Sequence, residues 1–155
     1  MAEDPTDIRA FQRLDSRTTT SGCLRDEDLP ALAAIGVRHV VNLALDSHPE
    51  ALADEAYKLA ALGIGYTHIP VPFDAPEDVH YRAFADALAA AGGAPVHVHC
   101  IMNYRVSAFF NRWNREVAGM DEAAARALLA YQWDPAASDR KDARPWAEFL
   151  ARTKI

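Results

Sequence analysis

The strongest constraint in this chain is a repeated change of hydrophobic rhythm. Short runs rich in Val, Ile and Leu alternate with longer stretches whose apolar residues recur at helical spacing. Such alternation predicts a parallel sheet covered by helices on both faces. Residues 17–22 (RTTTSG) carry the threonines of a short strand and end in a turn signal. Across residues 26–35, Leu29, Leu32, Ala33 and Ile35 keep helical spacing, and Gly36 follows where helices favour glycine. Residues 38–45 (RHVVNLAL) read as a buried strand. Ser47 is placed to cap a helix over residues 49–62, with Gly63 as its stop. Residues 66–71 (YTHIPV) read as strand again, and Pro76 opens a helix with Tyr81, Phe84, Ala85 and Leu88 on one stripe. Residues 95–99 (PVHVH) form another strand, followed by a helix over 106–117 that Gly119 stops. Asp121 caps a short helix to Ala130, a Pro- and charge-rich loop follows, and Pro145 opens a last helix to Ala151. The expected fold is α/β and three-layered: a mainly parallel sheet of four to five strands with helices on both faces. One domain is expected over residues 1–155.

Composition narrows the function. The 16 Lys and Arg are outnumbered by 22 Asp and Glu, for a formal net charge of −6. That balance opposes general nucleic-acid binding and docking on an anionic membrane, both of which need a cationic surplus. The two cysteines, Cys23 and Cys100, are too few for a disulfide framework or a structural zinc site. The N-terminal residues lack the basic-then-apolar pattern of a secretory signal, and no apolar run approaches a membrane span. A cytoplasmic protein is expected, with any anion site built locally. Oligomeric state is not legible.

Ligands of parallel α/β sheets bind beyond the carboxyl ends of the strands. The segments there are residues 46–48, 73–78 and 100–105. The last is the most informative. His99 and Cys100 end an apolar strand, Arg105 follows, and a helix then runs through Phe109 and Trp113. A strand thus enters a helix N-terminus through a short loop that begins with a thiol. Free N–H groups and the helix dipole favour an anion there, and the same field favours a thiolate. An arginine in the first helical turn can fork two oxygens of that anion.

With this loop, VHVHCIMNYRVSAFF, the chain resembles the cysteine-dependent protein tyrosine and dual-specificity phosphatase superfamily. Within it, the chain is most similar to a small bacterial branch, related to the phosphatase-like domain of beta-lactamase-hydrolase-like proteins. Thr20-Ser21-Gly22, GVRHVVNL at residues 36–43, YTHIPV with the following Asp74 and Pro76, His99-Cys100 with NYRVSAF, and YQWDP at residues 131–135 with Trp146 and Phe149 carry the resemblance. It implies Cys100 as nucleophile, Arg105 as phosphate ligand and Asp74 as general acid, with Asp78 the next candidate and Asp46 a third. Ile101, Met102, Asn103, Tyr104 and Ser107 are the implied substrate contacts, and His99 the residue that steadies the loop. The implied substrate is a phosphorylated small molecule or phosphoprotein, and no cofactor is implied.

The superfamily signature places five residues between Cys and Arg, and this chain has four. In a full-length register Val106 takes the arginine position, and Arg105 is turned about 100° away around the helix. In a shorter register Arg105 keeps its role and one amide donor is lost. A non-catalytic anion-binding module and a rhodanese-like sulfurtransferase are the rival readings. His97 and His99 share a strand face with His68 nearby, but ordinary hydrogen bonding is the expected use and no metal is expected. Trp113, Trp133 and Trp146 read as packing residues, Cys23 as a core or turn thiol, and residues 137–144 as a solvated loop.

Overall fold

The computed structural model describes residues 2–152. Its strands are β1 (Gln12–Asp15), β2 (Thr18–Ser21), β3 (His39–Asn42), β4 (Gly65–His68) and β5 (Val96–His99). Its helices are α1 (Asp28–Ala34), α2 (Glu55–Ala61), α3 (Asp78–Ala90), α4 (Tyr104–Glu116), α5 (Glu122–Ala130) and α6 (Arg144–Ala151), with a single 3-10 turn at Pro135–Ala137. The strands lie in the order β1-β2-β5-β3-β4. All neighbours are parallel except the β1–β2 hairpin.

Both faces of the sheet are covered. Adjacent residues Val40 and Val41, which point to opposite faces of β3, belong to different cores. Val40 packs with Leu29, Leu32 and Leu59 of α1 and α2. Val41 packs with Val98, Phe84, Phe109, Trp146 and Phe149 under α3, α4 and α6. Three strands end level: Ser21 and Asn42 both pair with His99. The loop after β5 therefore starts between the β2 and β3 chains, where Leu43 N–H donates to the His99 carbonyl at 2.9 Å.

Three differences from the sequence-based expectation have local causes. The strand β1 was not anticipated because Gln12, Arg13 and Asp15 are polar and the strand is a half-exposed edge. The helix expected over residues 49–62 begins only at Glu55, after Asp54 at a φ of 54°. The buried Glu55 carboxylate meets His99 Nε2 at 2.6 Å, which fixes the first turn there and leaves the residues ahead of it as a loop. The helix expected from Pro76 begins at Asp78, because Glu77 and His80 cap it reciprocally. Asp121 caps α5 through Oδ1, which accepts from Ala124 N at 2.8 Å.

His97 on the central strand is fully buried. Its Nδ1 and Nε2 each lie 2.8 Å from a hydroxyl, Thr19 Oγ1 and Ser21 Oγ respectively. The Ser21 hydroxyl proton goes to the Gly22 carbonyl at 2.9 Å. Nε2–H therefore donates to Ser21, and Thr19 donates to Nδ1, an arrangement that holds the ring neutral. Burial first, and then the neighbouring His99, hold the His97 pKa well below its ordinary value. An unfolded chain takes up a proton below about pH 6.5 that the folded ring refuses, so stability is full above that pH and is lost as pH falls towards the folded pKa. Thermal unfolding followed between pH 7 and pH 5 should show a falling Tm. His97→Gln should flatten that slope while lowering Tm at pH 7. Half-buried His39, whose pKa is also depressed by burial, should leave a residual slope.

Candidate active site

The loop from Cys100 to Asn103 lies at the carboxyl end of the sheet and runs directly into α4. Two contacts with the β2 end hold it. Cys100 N–H reaches the Ser21 carbonyl at 3.4 Å, and Cys23 N–H donates to the Ile101 carbonyl at 2.9 Å. Gly22 lies so close that a Cβ there would run into the Ile101 carbonyl oxygen, which gives the Thr20-Ser21-Gly22 stretch its physical reason. His99 is buried, with Nε2 on Glu55 and Nδ1 3.3 Å from the Cys100 carbonyl. Glu55 was not anticipated. Its identity as a partner depends on a contact across 44 residues.

Asn103 ends the loop. It is fully buried and sits at φ 67°, in the left-handed region that asparagine tolerates. Its side-chain amide donates to the Ala10 carbonyl at 2.9 Å and to Thr20 Oγ1 at 3.0 Å. Its Oδ1 accepts from the Ser107 hydroxyl at 3.0 Å. The Asn103 and Ser107 side chains, expected as substrate contacts, thus bond to one another, and Asn103 bonds also to the sheet edge. Because the Asn103 side chain makes no cap bond, the first-turn N–H groups of α4 are left open at the loop.

Cys100 and Arg105 share a cavity of about 420 Å³, together with Ile101, Met102 and Tyr104. Val106 is wholly buried in the core. The helix register thus turns Arg105, not Val106, to the cavity. The Arg105 side chain is 7% exposed, its Nη1 donates to the Val71 carbonyl at 3.0 Å, and its guanidinium lies 5.7 Å from the Phe73 ring centroid. Its Nε–H is buried without a hydrogen-bond partner among the described residues.

The far walls come from three other segments. Leu45, Ser47 and His48 follow β3, Phe73 follows β4, and Arg140 reaches in from the loop between α5 and α6. Arg140 belongs to the stretch expected to be a solvated loop, and its place on the cavity is a correction. Tyr104 is stacked on Trp133 at 4.6 Å and 7°. The Trp133 indole N–H donates to the Tyr104 carbonyl at 2.9 Å, and that of Trp146 to the Phe73 carbonyl at 2.6 Å. Two residues read as packing residues thus hold the backbone of two adjoining wall residues, Tyr104 and Phe73.

Asp74 sits on the turn with Phe73, exposed and outside the cavity lining. Asp78, the next candidate, is paired with Arg112 and Arg152 and also lies outside the lining. Although burial raises its pKa, hydrogen bonds from Arg112 and Arg152 more than offset this and hold it below the ordinary carboxylate value. Arg112, fully buried, lies 4.3 Å from the Tyr81 ring centroid and 4.7 Å from that of Phe149. Asp46 is exposed and also lies outside the lining. Among the described residues no three His, Cys, Asp or Glu side chains converge as metal ligands. His68 Nε2 lies 2.6 Å from the Ala44 carbonyl.

No protein-family model and no curated protein matches this chain. Solved structures do match its fold. It aligns over 92% of its length with 87% of the "Putative phosphatase (DUF442)" from Shewanella putrefaciens CN-32, at TM-score 0.78 and 28% identity. P. aeruginosa TpbA in complex with pTyr matches over 91% of this chain and 82% of its own, at TM-score 0.70 and 21% identity. PTPMT1 in complex with PI(5)P matches over 90% of this chain and 94% of its own, at TM-score 0.70 and 16% identity. These neighbours are cysteine-based, protein tyrosine or dual-specificity phosphatase-like proteins, and this chain has their α/β fold.

Asn103 offers a direct test of what holds the loop. Asn103→Gly keeps the φ but strands the Ser107, Thr20 and Ala10 groups, and should cost about 1–3 kcal/mol. Asn103→Ala adds the strain of a left-handed alanine and should cost about 1 kcal/mol more. Urea unfolding of both variants should return that order.

Proposed function

We propose that this chain is a single-domain, cysteine-based phosphatase that hydrolyses a phosphate monoester through a phosphocysteine intermediate. The observation that carries this reading is one cavity lined by both Cys100 and the buried Arg105. A guanidinium at such a place pairs best with an oxyanion, which it can meet with two parallel N–H donors. The open first-turn N–H groups of α4 favour negative charge at the same place.

In the proposed reaction the Cys100 thiolate attacks phosphorus opposite the ester oxygen. The S–P bond forms as the P–O bond breaks, and the electron pair leaves on the ester oxygen, which takes a proton from Asp74. Water then attacks the phosphocysteine and returns a proton to Asp74. Inorganic phosphate and the thiolate are released. Arg105 and the loop and helix N–H groups stabilise the charge on the transferring oxygens. His99, held by Glu55, positions the Cys100 end of the loop. No metal or cofactor enters the scheme.

The substrate class is a phosphorylated small molecule or phosphoprotein. The pTyr held by TpbA and the PI(5)P held by PTPMT1 support that class. The proposed setting is the bacterial cytoplasm, supported by the acidic composition. Among the described residues no helix is long and apolar enough to cross a membrane. A second reading, a non-catalytic anion-binding module, is favoured by the exposure of Asp74 outside the cavity lining.

Hydrolysis of aryl and alkyl phosphates separates the two. Cys100→Ser should lose at least about 10³-fold in kcat, and Arg105→Ala about 10²–10³-fold in kcat/KM. Asp74→Asn should lose about 10²-fold on an alkyl phosphate and far less on an aryl phosphate with a good leaving group. Equal losses on the two esters would remove Asp74 from the mechanism. Tight phosphate binding by the wild type without turnover would establish the binding module instead.

A further inference from the structure

We propose that Arg140 forms a second anion subsite, so that the preferred substrate is a phosphate monoester carrying another oxyanion, a carboxylate or a second phosphate. The inference deepens the hydrolase reading and rests on it for the identity of the first site.

The argument starts from the charge of the cavity. Its lining holds two guanidinium groups, Arg105 and Arg140, and no carboxylate. Arg105 is buried beside Cys100 and belongs to the reacting phosphate. Arg140 comes from a separate loop and is half-exposed at the mouth. It is nonetheless fixed in direction. Its Nε and Nη2 form a fork on the Asp142 carboxylate at 2.9 and 3.0 Å. Its guanidinium carbon lies 5.6 Å from the Phe73 ring centroid and 5.7 Å from that of Tyr104. The Tyr104 ring is in turn locked on Trp133. Nη1 makes no hydrogen bond among the described residues, so its two donors remain for a ligand. A planar guanidinium held this way loses little freedom on binding an oxyanion.

Spacing bounds the size of the ligand. The Arg105 and Arg140 guanidinium carbons lie 5.7 and 5.6 Å from the same Phe73 centroid, and cannot be farther apart than those two distances combined. The two oxyanions must therefore sit close together on a small body, such as one aromatic ring. The rings of Phe73 and Tyr104, with Leu45 and Met102, offer an apolar bed for such a body between the charges.

The test compares phenyl phosphate with 4-carboxyphenyl phosphate and 1,4-phenylene bisphosphate, on the wild type and on Arg140→Ala. Binding of phenylphosphonate and 4-carboxyphenylphosphonate is measured on the same two proteins by calorimetry. The wild type should prefer the partner with two separate anionic groups about 10-fold in kcat/KM and in Kd, and Arg140→Ala should bring both ratios close to one. Arg140→Lys should restore only part of the preference, because Lys cannot form the fork on Asp142 that aims the remaining donors at the cavity. A response to the bisphosphate alone, or to the carboxylate alone, identifies which oxyanion the subsite takes. Wild-type ratios near one, or ratios that Arg140→Ala leaves unchanged, overturn the proposal. Absent turnover with the phosphonate preference intact, and lost in Arg140→Ala, would overturn the hydrolase reading and sustain the subsite.

Discussion

The left-handed turn at Asn103 decides what the chain can present at its cavity. A helix advances about 100° per residue, so its first residue determines which side chains face the loop and which face the core. Asn103 fixes that origin by three hydrogen bonds that reach back to Ala10 and Thr20 and forward to Ser107. With the origin at Tyr104, Arg105 faces the cavity and Val106 enters the core. Four residues between Cys100 and Arg105 are therefore enough to bring a thiol and a guanidinium to one place. A helix begun one residue later would move Val106 to the cavity position, Arg105 to the place of Tyr104 and Ser107 to the core place that Val106 holds, so Arg105 would leave the cavity. Burying the Ser107 hydroxyl among apolar neighbours opposes that shift.

The same economy governs the walls. A cavity with mobile walls cannot hold a reacting group in line, so its backbone needs anchors outside the lining. Here they are indole N–H groups and a buried ion pair. Trp133 holds the first turn of α4, Trp146 holds the Phe73 turn, and Glu55 holds His99 at the root of the loop. Arg112 extends the frame further from the cavity, joining the start of α3 to α4 through Asp78 and lying against Phe149 of α6. These are long-range contacts, and each converts a packed core residue into a positional constraint on the cavity.

That division explains which parts could be read from the sequence. The strand before Cys100, the helix after it and the arginine in its first turn are local signals, since hydrophobic rhythm and short spacing carry them. The two-sided sheet was legible for the same reason. Glu55 and Arg140 owe their roles to partners that folding alone brings near, and nothing in their neighbours in sequence marks them; Asn103 was marked by its place in the loop, but its bonds to Ala10 and Thr20 were not legible. Tryptophans 133 and 146 were legible as packing residues, but the carbonyl each indole meets lies in another element. The misplaced start of α2 is the instructive case. Ser47 and Pro49 satisfy the local rules for a helix start, yet the helix begins at residue 55, where Glu55 meets His99 across the fold, and residues 49–54 stay outside it.

Charge shows the same contest between the chain as a whole and the site. A protein of net charge −6 repels anions at long range, and that repulsion is screened within roughly 8–10 Å at moderate ionic strength. Within the cavity the balance is reversed by two guanidinium groups and the open end of α4, acting at short range where water is partly excluded. A small dianion that enters feels mainly the local field. A large polyanion cannot place all its charge inside, and the remainder faces an acidic surface. For the proposed phosphate ester the acidic composition would thus act as a filter on ligand size, favouring an anion small enough to place its charge within the cavity.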